Sequence, residues 1–209
     1  MHEALKDSLK KLKANYNGKE FLSIVNTVKR DGINDDDLLR EIEKISLERF
    51  KAKVSFTIPI AAGNLLEFLA SIAAIFLPFI VHGDIFIYAS ALVLMATLHP
   101  LSHYVAGWLC RIRFTHYYLN GPARIEPTMR IDQISYLKAS GGKRAFMHVI
   151  GVIGTLAAPI IAALIALDKG AVGAAWNLFY FFLLLIIFEL LTSTKIGDLM
   201  KAKREYGYR

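Results

Sequence analysis

From Val54 to Cys110 the chain carries two acidic side chains, Glu67 and Asp84, and no lysine or arginine. A run so long and so apolar is hard to bury in a small soluble domain. A helix of ~20 apolar residues, by contrast, crosses the hydrocarbon core of a bilayer. The turn His82-Gly83-Asp84 splits the run into two spans, about 54–81 and 85–110. Two further apolar stretches, about 145–167 and 174–191, flank the turn Asp168-Lys169-Gly170. The expected fold class is therefore all-α: a polytopic membrane helix bundle of about four spans.

Charge gives the bundle a direction. The net charge of +7 resides in residues 111–144 and in a basic tail, 195–209. Residues 1–53 are nearly balanced, with 12 basic and 10 acidic side chains. Basic flanks beside apolar spans mark cytoplasmic segments. Both termini and the loop 111–144 are thus expected in the cytoplasm, at the cell membrane. The loop's Arg and Lys are expected to meet anionic headgroups of the lipid bilayer, and nucleic acid is not an expected partner. One cysteine, Cys110, excludes an intramolecular disulfide. The charged, amphipathic first fifty residues do not read as a signal peptide.

The segment 1–53 reads as three short helices, at about 3–15, 20–30 and 36–53, with Asn34 or Asp35 capping the third. It is either a regulatory, partner-binding domain or a cap packed on the membrane bundle. In the loop, Ile112–Tyr118 alternates and is rich in aromatic and β-branched residues, which predicts a strand or hairpin. Asn120-Gly121-Pro122 is a turn signal, and Ile131–Leu137 reads as a short helix.

Polar side chains inside spans are expensive and are functional candidates by default. These are Asn64 and Glu67 in the first span, His99 and His103 in the second, His148 at the start of the third and Glu189 near the end of the fourth. Asp198 follows just beyond. His99 and His103, at i and i+4, share one helix face and can reach one metal ion. By the topology, His148 and Asp198 fall at similar depth. Interfacial histidines facing headgroups are the plain alternative, and Gly151 and Gly154 read as close-packing positions.

The order of these motifs resembles the site-2 protease family of intramembrane zinc metalloproteases. His99-Pro-Leu-Ser-His103 with Tyr-Val-Ala-Gly after it stands where that family has H-E-x-x-H. Lys143–Gly151 is similar to its basic run and glycine-containing helix, and Thr194-Lys195-Ile196-Gly197-Asp198 to its Asp motif. The resemblance, over about residues 85–205, implies a zinc cofactor held by His99, His103 and Asp198, with His148 as a further candidate ligand. It also implies cleavage of a transmembrane protein substrate in or near the bilayer. Pro100, however, occupies the position of the general-base Glu, and proline cannot accept a proton.

Two readings follow. Another carboxylate replaces the base, with Glu67 as the catalytic candidate and Glu189 the shallower one. Otherwise the chain is an inactive homologue whose cavity binds or regulates partner membrane helices. Counted from Lys53, Glu67 lies roughly 21 Å deep and His99, from Arg111, roughly 18 Å. A channel or transporter using Asn64 and Glu67 lacks the inverted repeat such folds show.

Overall fold

The computed structural model describes residues 2–120, 126–192 and 197–208. The Gly121-Pro122 turn, Arg124 and the Thr194–Ile196 part of the Asp motif lie outside the described residues.

Three helices come first along the chain: α1 (His2–Ala14), α2 (Gly18–Arg30) and α3 (Asp36–Lys53). Asn17 caps α2 by accepting from the Lys19 and Glu20 amides, and Asp35 caps α3 by accepting from Asp37 and Leu38. Their apolar faces meet in one core, in which Leu9, Leu12, Val28, Leu38, Leu39 and Ile42 are buried. Leu137 from the middle of the chain joins the same core. Three ion pairs tie the N-terminal helices to the rest: Glu43 with Arg130 (2.7 Å), Asp36 with Lys138 (2.6 Å) and Lys29 with Glu205 (2.6 Å). Of the two arrangements open in the sequence, the structure shows a cap packed on the bundle.

Four helices are long and apolar enough to cross a membrane: α4 (Ile60–Ile80), α5 (Asp84–Leu109), α7 (Gly141–Asp168) and α8 (Val172–Thr192). The expected helical bundle is present, with one change at its start. The first long helix begins at Ile60 rather than Val54. Ile58 and Pro59 instead form a short strand, β1, paired antiparallel with Tyr117 and His116 of β2 (Phe114–Asn120). Beta pairing satisfies the backbone that a helix start would otherwise have used. Glu67 is therefore about 10 Å into its helix, seven residues from Ile60, and not 21 Å.

The loop folds as its alternation predicts. β2 pairs with β3 (Glu126–Ile131), with a bulge near Thr115, in the order β1-β2-β3. The short helix α6 (Gln133–Lys138) follows, capped by Asp132. The sheet sits at the end of the bundle that also carries the N-terminal cap. Tyr117 packs its ring onto Gly63 of α4 and donates its hydroxyl to Asn64 (2.8 Å). The apolar neighbours of the sheet include Ala106, Ile112, Phe114, Met129 and Met147.

The basic tail is not a loose extension. Asp198–Tyr206 forms helix α9, packed on α7 and buried at Ala202 and Glu205. Glu205 is fully buried between Lys29 of α2 and Arg144 of α7 (2.6 and 2.7 Å). Arg144 and Arg130 are thus spent on internal ion pairs and do not face headgroups. Their carboxylate partners, Glu205 and Glu43, were too distant in sequence to foresee.

Burial alone works to raise the Glu205 carboxyl, but Lys29 and then Arg144 outweigh it and hold the group below its ordinary value. A depressed carboxylate contributes stability that is complete above its unfolded value and fades as pH falls through the folded one. Thermal unfolding of the full chain followed from neutral to acid pH should therefore show destabilisation below the ordinary carboxylate range. Glu205→Gln should flatten that dependence.

Candidate metal centre

α5 runs unbroken through Pro100 from Asp84 to Leu109 and carries His99 and His103 one turn apart on the face toward α7. Their rings stand 4.7 Å apart at 85°. α7 approaches closely because it presents glycines. A Cβ on Gly151 would fall on the His103 ring, and one on Gly154 would meet the Ser102 side chain and the Leu98 carbonyl. The packing role expected of these glycines is realised at the candidate site itself. α9 brings in the third group. Gly197 has φ +93° and ψ 178°, a region that side-chain-bearing residues rarely enter, and the turn it makes starts α9 with Asp198 aimed at the histidines.

Asp198 Oδ2 lies 3.1 Å from His103 Nε2 and 3.3 Å from His99 Nε2. One ligand atom from each of the three residues lies within 4.8 Å of the others, a group that can hold a metal ion. A tetrahedral site with metal–ligand distances of ~2.0–2.1 Å has ligand–ligand edges of roughly 3.3–3.4 Å. The His99 distance to Asp198 matches this edge, and the His103 distance is slightly shorter.

The surrounding hydrogen bonds fix which atoms carry protons. His103 Nδ1 faces the Met147 carbonyl at 2.9 Å, which can only accept, so Nδ1 carries the hydrogen. His99 Nδ1 faces Thr155 Oγ1 at 2.9 Å, and that hydroxyl donates to the Gly151 carbonyl. His99 Nδ1 can therefore donate to Thr155. With both Nδ1 atoms protonated and the rings neutral, both Nε2 atoms would present bare lone pairs to a carboxylate oxygen. Three acceptors pointed at one spot repel one another unless a cation lies between them or both rings take protons. Outer partners that fix a histidine tautomer in this way are characteristic of metal ligands.

The other oxygen of Asp198 is held differently. His148 Nδ1 donates to Oδ1 at 3.2 Å, and Lys201 Nζ donates to it at 2.9 Å. His148 Nε2 in turn accepts from the Tyr136 hydroxyl at 3.2 Å. His148, a candidate ligand by sequence depth, is not in the group that can hold the ion. Its hydrogen bonds turn it toward Oδ1, where it orients the carboxylate. Burial opposes ionisation of Asp198, but hydrogen bonds from His103, His148 and His99, donated when the ring nitrogens that face it carry protons, hold its carboxyl well below the usual range.

No family model, curated protein or solved structure matches this chain.

The two carboxylate candidates separate. Glu67 lies one turn from Ser71, which bonds Thr97 of α5 at 2.7 Å, but its side chain makes no hydrogen bond or ion pair among the described residues. Its electrostatic neighbour is Tyr117 in the sheet, and it does not line the cavity over the site. Glu189 on α8 interacts electrostatically with both Asp198 and His99. Glu189 is thus within electrostatic range of His99 and Asp198, and neither carboxylate lines the cavity.

The site opens into a cavity of about 540 Å³ between the N-terminal cap and the bundle. Phe21 and Phe50 of the cap, Glu126 and Met129 of β3, and Lys201 line it together with His99. β3 is the outer strand of its sheet.

Thr155, Tyr136 and Lys201 were not singled out from sequence. Span hydroxyls are cheap to bury because they bond the preceding turn, so Thr155 carried no signal. Thr155→Val keeps shape and removes the acceptor for His99. It is expected to weaken metal binding by roughly 10–100-fold, measured by chelator competition on the purified full chain.

Proposed function

We propose that this chain is a zinc metalloprotein of the site-2-protease type, set in the cell membrane with both termini in the cytoplasm, and that it acts on peptide bonds of membrane proteins in or near the bilayer. The observation that carries the reading is the convergence of His99, His103 and Asp198, one ligand atom of each within 4.8 Å of the others, at the end of a bundle of helices long enough to cross a bilayer. A nitrogen-and-oxygen donor set of three, leaving a fourth position open, suits catalytic zinc. Zinc bound there would supply a Lewis acid and lower the pKa of water.

The chain's own residues do the rest. His99, His103 and Asp198 hold the ion. His148, Lys201 and Tyr136 fix the carboxylate, and Thr155 and the Met147 carbonyl fix the rings. The edge of β3 offers backbone groups to an extended segment laid along the cavity, as sheet edges do for peptides. Pro100 supplies no base, so the proton from water goes to a carboxylate elsewhere. Glu189 is the better candidate on its electrostatic proximity to His99 and Asp198. The Lys and Arg excess on the sheet-and-cap end of the bundle supports the cytoplasmic assignment of that end.

The second reading, an inactive homologue that binds partner membrane helices, is favoured by the same Pro100. General-base loss commonly removes 10²–10⁴ in rate.

The test is metal analysis together with cleavage of a model transmembrane substrate in proteoliposomes. Stoichiometric zinc and cleavage abolished by Glu189→Gln but not by Glu67→Gln support the enzyme with a relocated base. Zinc without cleavage supports the partner-binding homologue. Absence of zinc from the wild-type protein, or binding unchanged by His99→Ala, sinks the metal reading.

A further inference from the structure

The buried ion cluster at the foot of α9 has a consequence for the centre seven residues away. Asp198 opens α9 and Glu205 lies in its last turn. Positions i and i+7 share one face of a helix, and Ala202 between them is buried. Glu205 is enclosed between Lys29 of the N-terminal cap and Arg144 of α7, all three nearly or wholly inaccessible to solvent. Arg144 also donates to the Ala139 carbonyl. The α9 backbone presses directly on Gly141, where a Cβ would collide with the Glu205 and Tyr208 carbonyls. The helix that presents Asp198 is thus fastened at its far end, and one of its two fastenings belongs to the cap.

A second route joins the same cluster to the centre. The Tyr136 ring lies under Lys29 (4.8 Å) and Arg144 (5.6 Å). Its hydroxyl bonds His148, which bonds Asp198 Oδ1. A shift of the Lys29–Glu205–Arg144 cluster therefore reaches Asp198 through the α9 backbone and also through Tyr136 and His148.

We infer that Glu205, clamped by Lys29 and Arg144, is a positioning residue for Asp198, so that docking of the N-terminal cap and ion binding at the His99–His103–Asp198 centre are coupled. The inference rests on the metal reading above and adds a regulator to it: whatever displaces the cap loosens the ion, and the ion tightens the cap. Binding linkage of this kind is reciprocal, which makes it testable from both ends.

The probe is zinc alone, on the full chain in nanodiscs. Lys29→Met removes the cap's fastening while Arg144 still neutralises Glu205, so it is gentler than Glu205→Gln, which strands two buried cations. Zinc affinity is read by chelator competition, and docking by amide hydrogen exchange in α9 (Asp198–Tyr206) and α2 (Gly18–Arg30). Lys29→Met is expected to weaken zinc about 10–100-fold, as outer-shell changes do, and to speed exchange in α9. Zinc is expected to slow exchange in α2 of the wild type and not of the variant, a response that a purely structural ion pair does not give. Lys29→Arg restores both, and Lys13→Met, which removes an exposed pair with Glu41 in the cap, changes neither.

Unchanged zinc affinity in Lys29→Met, or weakened affinity with unchanged α9 exchange, overturns the inference. A wild-type protein that binds no zinc sinks the metal reading instead. The clamp is then judged on exchange alone, with faster α9 exchange in Lys29→Met supporting it and unchanged exchange overturning it.

Discussion

Replacing His99 or His103 with alanine is expected to abolish stoichiometric zinc binding, with an affinity loss beyond the roughly 10–100-fold typical of outer-shell changes. Each histidine supplies one of three donor atoms, and two donors cannot hold a catalytic-type site against water. His103→Ala is the cleaner of the two. Its ring is held by the Met147 carbonyl and by Asp198 (2.9 and 3.1 Å) and stands against Gly151, so truncation leaves a gap without breaking an ion pair elsewhere. Metal content after gel filtration reads the result directly, and retained helical circular dichroism shows that the bundle survived. Zinc binding should also weaken as pH falls, because the ligands must be deprotonated to bind. An affinity unaffected by either alanine would move the site elsewhere.

The second large effect removes no ligand at all. Gly151→Ala places a methyl group where the His103 ring now lies. Either α7 retreats from α5 or the ring turns aside. Overpacking of this kind costs about 1–3 kcal/mol, and turning the ring takes Nε2 away from Asp198. Zinc binding is expected to fall by roughly 5–150-fold, the equivalent of that energy, although no metal-binding residue is replaced. Gly142→Ala is the matched control, since a Cβ there meets nothing within 4 Å. Equal zinc content in the two variants would show that the close approach of α5 and α7 does not shape the centre.

Much of the fold was legible because the solvent writes it into the sequence. The lipid-crossing helices must satisfy their backbone internally and cover it with apolar side chains, so four long apolar runs appear in plain view. The third helix of the cap was placed at 36–53 because Asp35 and the Leu38, Leu39, Ile42 and Ile45 pattern are local signals. The alternation of Ile112–Tyr118 announced a strand, which the structure has two residues later, over Phe114–Asn120. The start of the first long helix was misplaced by six residues because Val54–Pro59 is apolar either way. Only the presence of β2 beside it decides that Ile58 and Pro59 pair as strand.

The site divides along the same line. His99 and His103 are legible because their relation is local, one turn on one helix, and Asp198 because it follows the fourth apolar run at similar depth, in the motif order described above. The distinction between His148 and the other two histidines is not local. It depends on which oxygen of Asp198 each ring meets, and on Tyr136 reaching His148 from a different element. The electrostatic proximity of Glu189 to Asp198 and His99 likewise depends on how α8 packs, which depth alone does not encode. Glu205 looked like one acidic residue in a basic tail, although its spacing of seven from Asp198 was a usable sign of a shared helix face.

By itself, then, the sequence determined that this chain forms four membrane-length helices beside a charged helical cap, and that two histidines share a face within one of them. Local periodicity and the free energy of apolar surface in water are enough for that. The tertiary structure alone decided that two histidine nitrogens and one carboxylate oxygen lie within reach of one point, that His148 supports that carboxylate, and that α9 is clamped to the cap. Those facts depend on contacts between residues up to 176 positions apart. Packing geometry, not composition, selects such partners.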